Sequence, residues 1–74
     1  MRIARRDGAL IEALTDRELS VLRALQGPLS QREIGHELYL SINTVKGYTK
    51  SLYRKLGVAS RADAVRRGRE LGLI

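Results

Sequence analysis

Three cations recur at four-residue intervals in the second half of the chain: Lys46, Lys50 and Arg54. On a helix this spacing sets them on one face. Such a stripe can do one of two things: it stays in water, or it holds a polyanion. The charge balance bears on the choice. Residues 1–45 contain six Lys/Arg and six Asp/Glu, whereas residues 46–74 contain eight Lys/Arg against Asp63 and Glu70, so the whole net charge of +6 sits in the last 29 residues. A basic surface confined to one part of a fold is the electrostatic footprint of a polyanion partner. Other chemistry finds little material. His36 is the only histidine and there is no cysteine, so His36 has no companions at metal-ligand spacing and reads as an exposed helix residue. Glu37 beside it makes no catalytic site alone, the serines are explained as caps or surface residues, and no glycine-rich phosphate loop occurs. The chain is not expected to be an enzyme, and no cofactor or metal is expected.

The elements that must carry the stripe announce themselves by their ends. Thr15 with Glu18, and Ser30 with Glu33, have the form of a capping box, in which a hydroxyl accepts from the third backbone N–H and a carboxylate reaches back. Ser41 with Thr44 and Ser60 with Asp63 repeat the form more weakly. Leu14/Leu19, Leu29/Ile34 and Leu40/Val45 flank the first three caps at the spacing of a hydrophobic staple. The stops agree: Gly27-Pro28 ends the first helix, and Gly57 and Gly72 follow later ones as left-handed caps. Helices are therefore predicted at 16–26, 31–38, 42–56 and 61–71, giving an all-α domain over 14–74 preceded by a lead-in or linker at 1–13. The core must be aliphatic, built from the 21 Leu, Ile and Val residues, because the aromatics are only three Tyr. Leu19, Leu22 and Leu25, then Ile34 and Leu38, then Val45, Tyr48 or Thr49, Leu52 and Leu56, then Ala64, Val65, Gly68 and Leu71 give each helix one apolar side. No segment is long enough to span a membrane, and a cytoplasmic location is expected.

Helices two and three are joined only by Tyr39, Leu40 and Ser41. So short a connection forces a sharp corner, as in a helix-turn-helix. Gly35 supplies the small residue that a steep crossing needs, and Leu40 plugs the angle together with Ile34, Leu38, Val45 and Tyr48. The opposite face of helix three then remains for a partner. A helix of that length is about 22 Å long and fits a major groove roughly 12 Å wide. Asn43, Gly47 and Lys50 lie near that face. Gly47 either lets the backbone approach a base pair closely or is a tolerated small residue. Tyr48 offers an apolar body to the core edge and a hydroxyl that could reach a phosphate.

These residues resemble the LuxR/NarL-type, or GerE-type, DNA-binding domain over Leu14 to Ile74. The marks are Leu14-Thr15-Asp16-Arg17-Glu18 with Val21-Leu22, then Ser30, Glu33-Ile34-Gly35, Leu38 and Ser41-x-x-Thr44-Val45-Lys46. They continue with Lys55-Leu56-Gly57-Val58, Arg61-Ala62-x-Ala64-Val65 and Gly72-Leu73-Ile74. A promoter-reading domain of sigma factors shares the Thr-Val-Lys stretch but not this tail. Gly35 stands where the family usually has Ala, Tyr48 where it often has His, and Gly47 where it has a side chain.

The resemblance implies a four-helix output module of a larger bacterial transcription regulator. It implies Lys46, Gly47 and Lys50 facing the groove and Thr44 at a phosphate. With Ser30, Arg32, Tyr48 and Arg54 added as phosphate contacts, the expected partner is double-stranded DNA. The resemblance also implies a homodimer through helix four, with Val65, Gly68 and Leu71 as its contacts. Arg66, Arg67 and Arg69 would weaken that dimer without DNA. RNA polymerase or an attached regulatory domain is a further expected partner. The reading from another class is a protein-interaction module that docks on an acidic partner.

Overall fold

In a computed structural model, residues 12–74 of the chain are described. Most of the lead-in expected at 1–13 lies outside them. Four helices follow in order: α1 (Asp16–Leu25), α2 (Gln31–Leu38), α3 (Ile42–Leu56) and α4 (Arg61–Glu70). The all-α architecture is as expected. α2 and α3 have the expected bounds, while α1 and α4 each stop one residue earlier, with Gln26 and Leu71 as their C-caps. α3 packs against each of the other three helices, and α1 also packs against α2 and α4.

The caps form as their residue types require. Thr15 and Ser30 accept from the N–H of Glu18 and Glu33, and each glutamate accepts from its cap residue's N–H at 2.8 Å. Ser41 and Ser60 accept from the N–H groups of Thr44 and Asp63, both at 3.1 Å. Three helices end with the same paired turn, in which two successive N–H groups bond back to carbonyls near the helix end. At Gly57 (φ +70°) and Gly72 (φ +73°) the left-handed residue is the expected glycine. At the end of α2 it is Tyr39, with φ +58°, a residue 95% exposed. The Leu40 N–H completes that turn on the Gly35 carbonyl at 2.8 Å.

The core is aliphatic: Val21, Leu22, Leu25, Ile34, Val45, Leu52, Leu56 and Ala64 are buried together. α3 contributes Thr49 rather than Tyr48 to its buried stripe, and the Thr49 hydroxyl has no hydrogen-bond partner among the described residues. Gly68 on α4 is also buried. A β-carbon there would stand 3.0 Å from Leu22 Cδ2 and 3.2 Å from Ile74 Cδ1. The surface of Gly68, expected as a dimer contact, is covered by α1 and the C-terminal residues of its own chain.

Candidate nucleic-acid interface

The corner between α2 and α3 is set by one close approach. A β-carbon built on Gly35 would lie 2.6 Å from the Leu40 carbonyl oxygen and 3.4 Å from Val45 Cγ2. Any larger residue must push the turn away from α2, so the absent side chain brings the two helices together. Leu38, Leu40 and Tyr48 pack against the core.

α3 then has two opposite stripes. Val45, Thr49, Leu52 and Leu56 are buried. Asn43, Gly47, Lys50 and Arg54 are exposed. The second set is the first displaced by two residues, about 200° around a helix of 3.6 residues per turn. Lys46, also exposed, flanks the outer stripe. Neither Lys46 nor Lys50 has an ion pair with a carboxylate among the described residues. A β-carbon at Gly47 would find nothing within 4 Å, so the fold does not demand glycine there.

The other expected contact residues differ in how free their side chains are. Arg32 and Ser30 are exposed at the start of α2, with the Ser30 hydroxyl occupied as a cap acceptor. That cap lowers the Glu33 pKa, through the Ser30 backbone N–H and hydroxyl. The Thr44 hydroxyl is exposed and 2.9 Å from that of Ser41. Tyr48 is half-buried. Arg54 is not a bare cation: its Nη1 lies 3.1 Å from the Glu12 carboxylate. Val65 and Leu71 are half-buried on α4 and pack against the core. Arg66 and Arg67 are paired within α4 to Asp63 at 2.9 Å and Glu70 at 3.5 Å.

Three supports of the site had no clear signal in the sequence. Lys55 donates to Glu18 at 2.7 Å and to the Ala13 carbonyl at 3.2 Å, and Ser51 also donates to Glu18. This ties the back of α3 to α1 and to the segment before it. Burial alone would push the Glu18 carboxyl up, but hydrogen bonds from Lys55, Ser51 and the Thr15 backbone, with the Lys55 charge, hold it down at about 2. Arg61 donates to the carbonyls of Leu25 (3.0 Å) and Gly27 (2.8 Å), closing the end of α1 from the start of α4. Its charge also opposes the rise that burial imposes on the nearby Tyr53 phenol. Charge patterning shows Lys55 and Arg61 only as cations; their partners lie more than thirty residues away.

No group of histidine, cysteine or acidic residues that could hold a metal occurs among the described residues. No helix there is long and apolar enough to cross a membrane.

Residues 12–67 match the family described as bacterial regulatory proteins, luxR family. A nitrate/nitrite response regulator protein homolog of Haemophilus influenzae is 44% identical over 54 residues, which are 73% of this chain and 26% of that protein. A crystal structure of the response regulator ChrA of a heme-sensing two-component system superposes with a TM-score of 0.82 at 38% identity. The match covers 85% of this chain and 31% of that one. The chain thus spans about a third or less of the length of these relatives.

Proposed function

The chain belongs to the LuxR family of bacterial regulatory proteins, whose helix-turn-helix domains bind DNA, and from that premise we propose that it recognises particular duplex sequences by laying α3 in the major groove. One observation carries the reading. The face of α3 opposite the core is exposed throughout, and Lys46 and Lys50 stand on or beside it with no carboxylate paired to them among the described residues. Lysine donates to guanine O6 and N7, and Gly47 between the two lysines lets the helix backbone come near the base edges. Ser30, Arg32, Thr44, Tyr48 and Arg54 hold phosphates on either side and fix the register.

The relatives named as response regulators are longer than this chain. By analogy, the domain serves as the DNA-binding module of a transcription regulator, with an attached regulatory domain or RNA polymerase as protein partners. A pair of copies binds a two-fold related site, touching through α4. Val65 is the outward apolar residue of that contact, Leu71 flanks it, and Gly68 takes no part.

The test is selection of bound sequences from a pool of random duplexes, with affinity followed across a salt series. Steep loss of affinity with salt and enrichment of one two-fold related sequence is the expected result. Steep salt dependence with nothing enriched removes base reading by Lys46 and Lys50. No binding of duplex at low salt replaces this reading with docking on an acidic protein.

A further inference from the structure

Among the described residues, Arg54 is the member of the outer α3 stripe that meets an acid, and the acid comes from outside the helix-turn-helix. Glu12 Oε1 lies 3.1 Å from Arg54 Nη1, across 42 positions of sequence. The placement of Glu12 is supported next door, where the Ala13 carbonyl accepts from Lys55, itself anchored to buried Glu18. Both side chains of the pair stay well exposed, at 63% for Arg54 and 41% for Glu12, so a phosphate can reach the same guanidinium. We propose that the Glu12 carboxylate is an internal competitor for the phosphate seat at Arg54. The segment before α1 thereby sets how strongly this face holds DNA. The inference rests on the reading of Arg54 as a phosphate contact.

The physical argument is one of like anions. A guanidinium presents its donors as a planar fork that fits a carboxylate or a phosphate equally well. Two anions on one fork repel each other at short range. DNA binding therefore displaces Glu12 from Arg54 or keeps it as a nearby repulsive charge, and either costs affinity. Because exposed pairs are weak, the cost is small and easily reset. Withdrawal of the Glu12 carboxylate would leave Arg54 free for phosphate.

A double-mutant cycle tests this, read as affinity for a pool of random-sequence duplexes at low salt, since a phosphate contact is independent of sequence. Glu12→Gln is expected to tighten binding by about two- to five-fold. Arg54→Met is expected to weaken it, and Glu12→Gln added to Arg54→Met to recover much less than it gains alone. Thermal melting of each variant checks that the fold is kept. Unchanged or weaker binding by Glu12→Gln overturns the proposal. An equal gain in both backgrounds also overturns it, because the effect is then one of net charge. Unchanged binding by Arg54→Met removes the phosphate seat itself and the proposal with it, while sequence selection through Lys46 and Lys50 would stand.

Discussion

Gly35 and the Leu40 carbonyl oxygen approach so closely that a β-carbon on Gly35 would stand 2.6 Å from that oxygen. The listener on the other side of the contact is backbone, which cannot rotate away as a side chain can. Gly35→Ala is therefore expected to destabilise the domain, and Gly35→Val to do so more strongly, by roughly 1–3 kcal/mol as for other overpacked sites. Urea denaturation of the three proteins measures this. Equal stability for all three would mean that the turn adapts freely and that the corner is not set here.

Gly47 should behave in the opposite way. A β-carbon there meets nothing within 4 Å, and the position is exposed in the middle of α3. Gly47→Ala is expected to raise stability by about 1 kcal/mol, the usual helix-propensity difference. If the bare backbone serves close approach to bases, the same substitution lowers affinity for the selected sequence more than for random duplexes. A gain in stability with unchanged DNA preference would reduce Gly47 to a tolerated small residue.

Lys50 separates base reading from phosphate holding. Lys50→Ala is expected to cost about 1–3 kcal/mol on the selected sequence if its ammonium reads a base. The same loss on every duplex, with a shallower salt dependence, would assign it to phosphate. Competition titrations with selected and random duplexes distinguish the two.

The Glu18–Lys55 pair makes stability depend on pH. The folded-state pKa of Glu18 is about 2 against an ordinary 4.5. Because the folded value is the lower one, the stabilisation is fully present above the unfolded value and is lost as pH falls from about 4.5 towards 2. The contribution is on the order of 3 kcal/mol. In Glu18→Gln this acid-dependent loss should shrink, as followed by denaturant melts across that pH range. Lys55→Met should destabilise by roughly 3–5 kcal/mol at neutral pH, because it leaves a buried carboxylate without its cation.

Tyr39 carries backbone strain in full exposure. A non-glycine residue in the left-handed region costs roughly 1–2 kcal/mol, and glycine relieves this cost while losing part of the gain through added freedom of the unfolded chain. Tyr39→Gly is therefore expected to stabilise the domain modestly, by about 0.5–1 kcal/mol. A lower melting temperature for Tyr39→Gly would show that the ring supports the turn through contacts that the residue's 95% exposure does not suggest.

Much of this protein was determined locally, and local information is what a sequence displays. A serine or threonine three residues before an acid satisfies backbone groups within one turn, so the starts of α1 and α2 are visible in Thr15/Glu18 and Ser30/Glu33. Glycine at Gly57 and Gly72 marks left-handed caps because few other residues adopt that geometry cheaply. The outer and inner stripes of α3 follow from helical periodicity alone, and the small residue at Gly35 followed from the shortness of the turn beside it. The left-handed cap of α2 was not legible in the same way, because Tyr39 takes the position that glycine takes elsewhere, although the helix ends where expected.

Tertiary structure decided what depends on groups far apart in the chain. Residue type cannot tell whether a cation meets water, a carboxylate or a carbonyl from another helix. Packing made Lys55 the partner of Glu18, Arg61 the closure of α1, and Glu12 the neighbour of Arg54. Packing also turned Gly68 inward against Leu22 and Ile74, where helical spacing alone allowed it to face a second copy. The physical reason is the same in each case: a helix's own hydrogen bonds and periodicity fix which residues share a face, but only the docking of helices determines what that face meets.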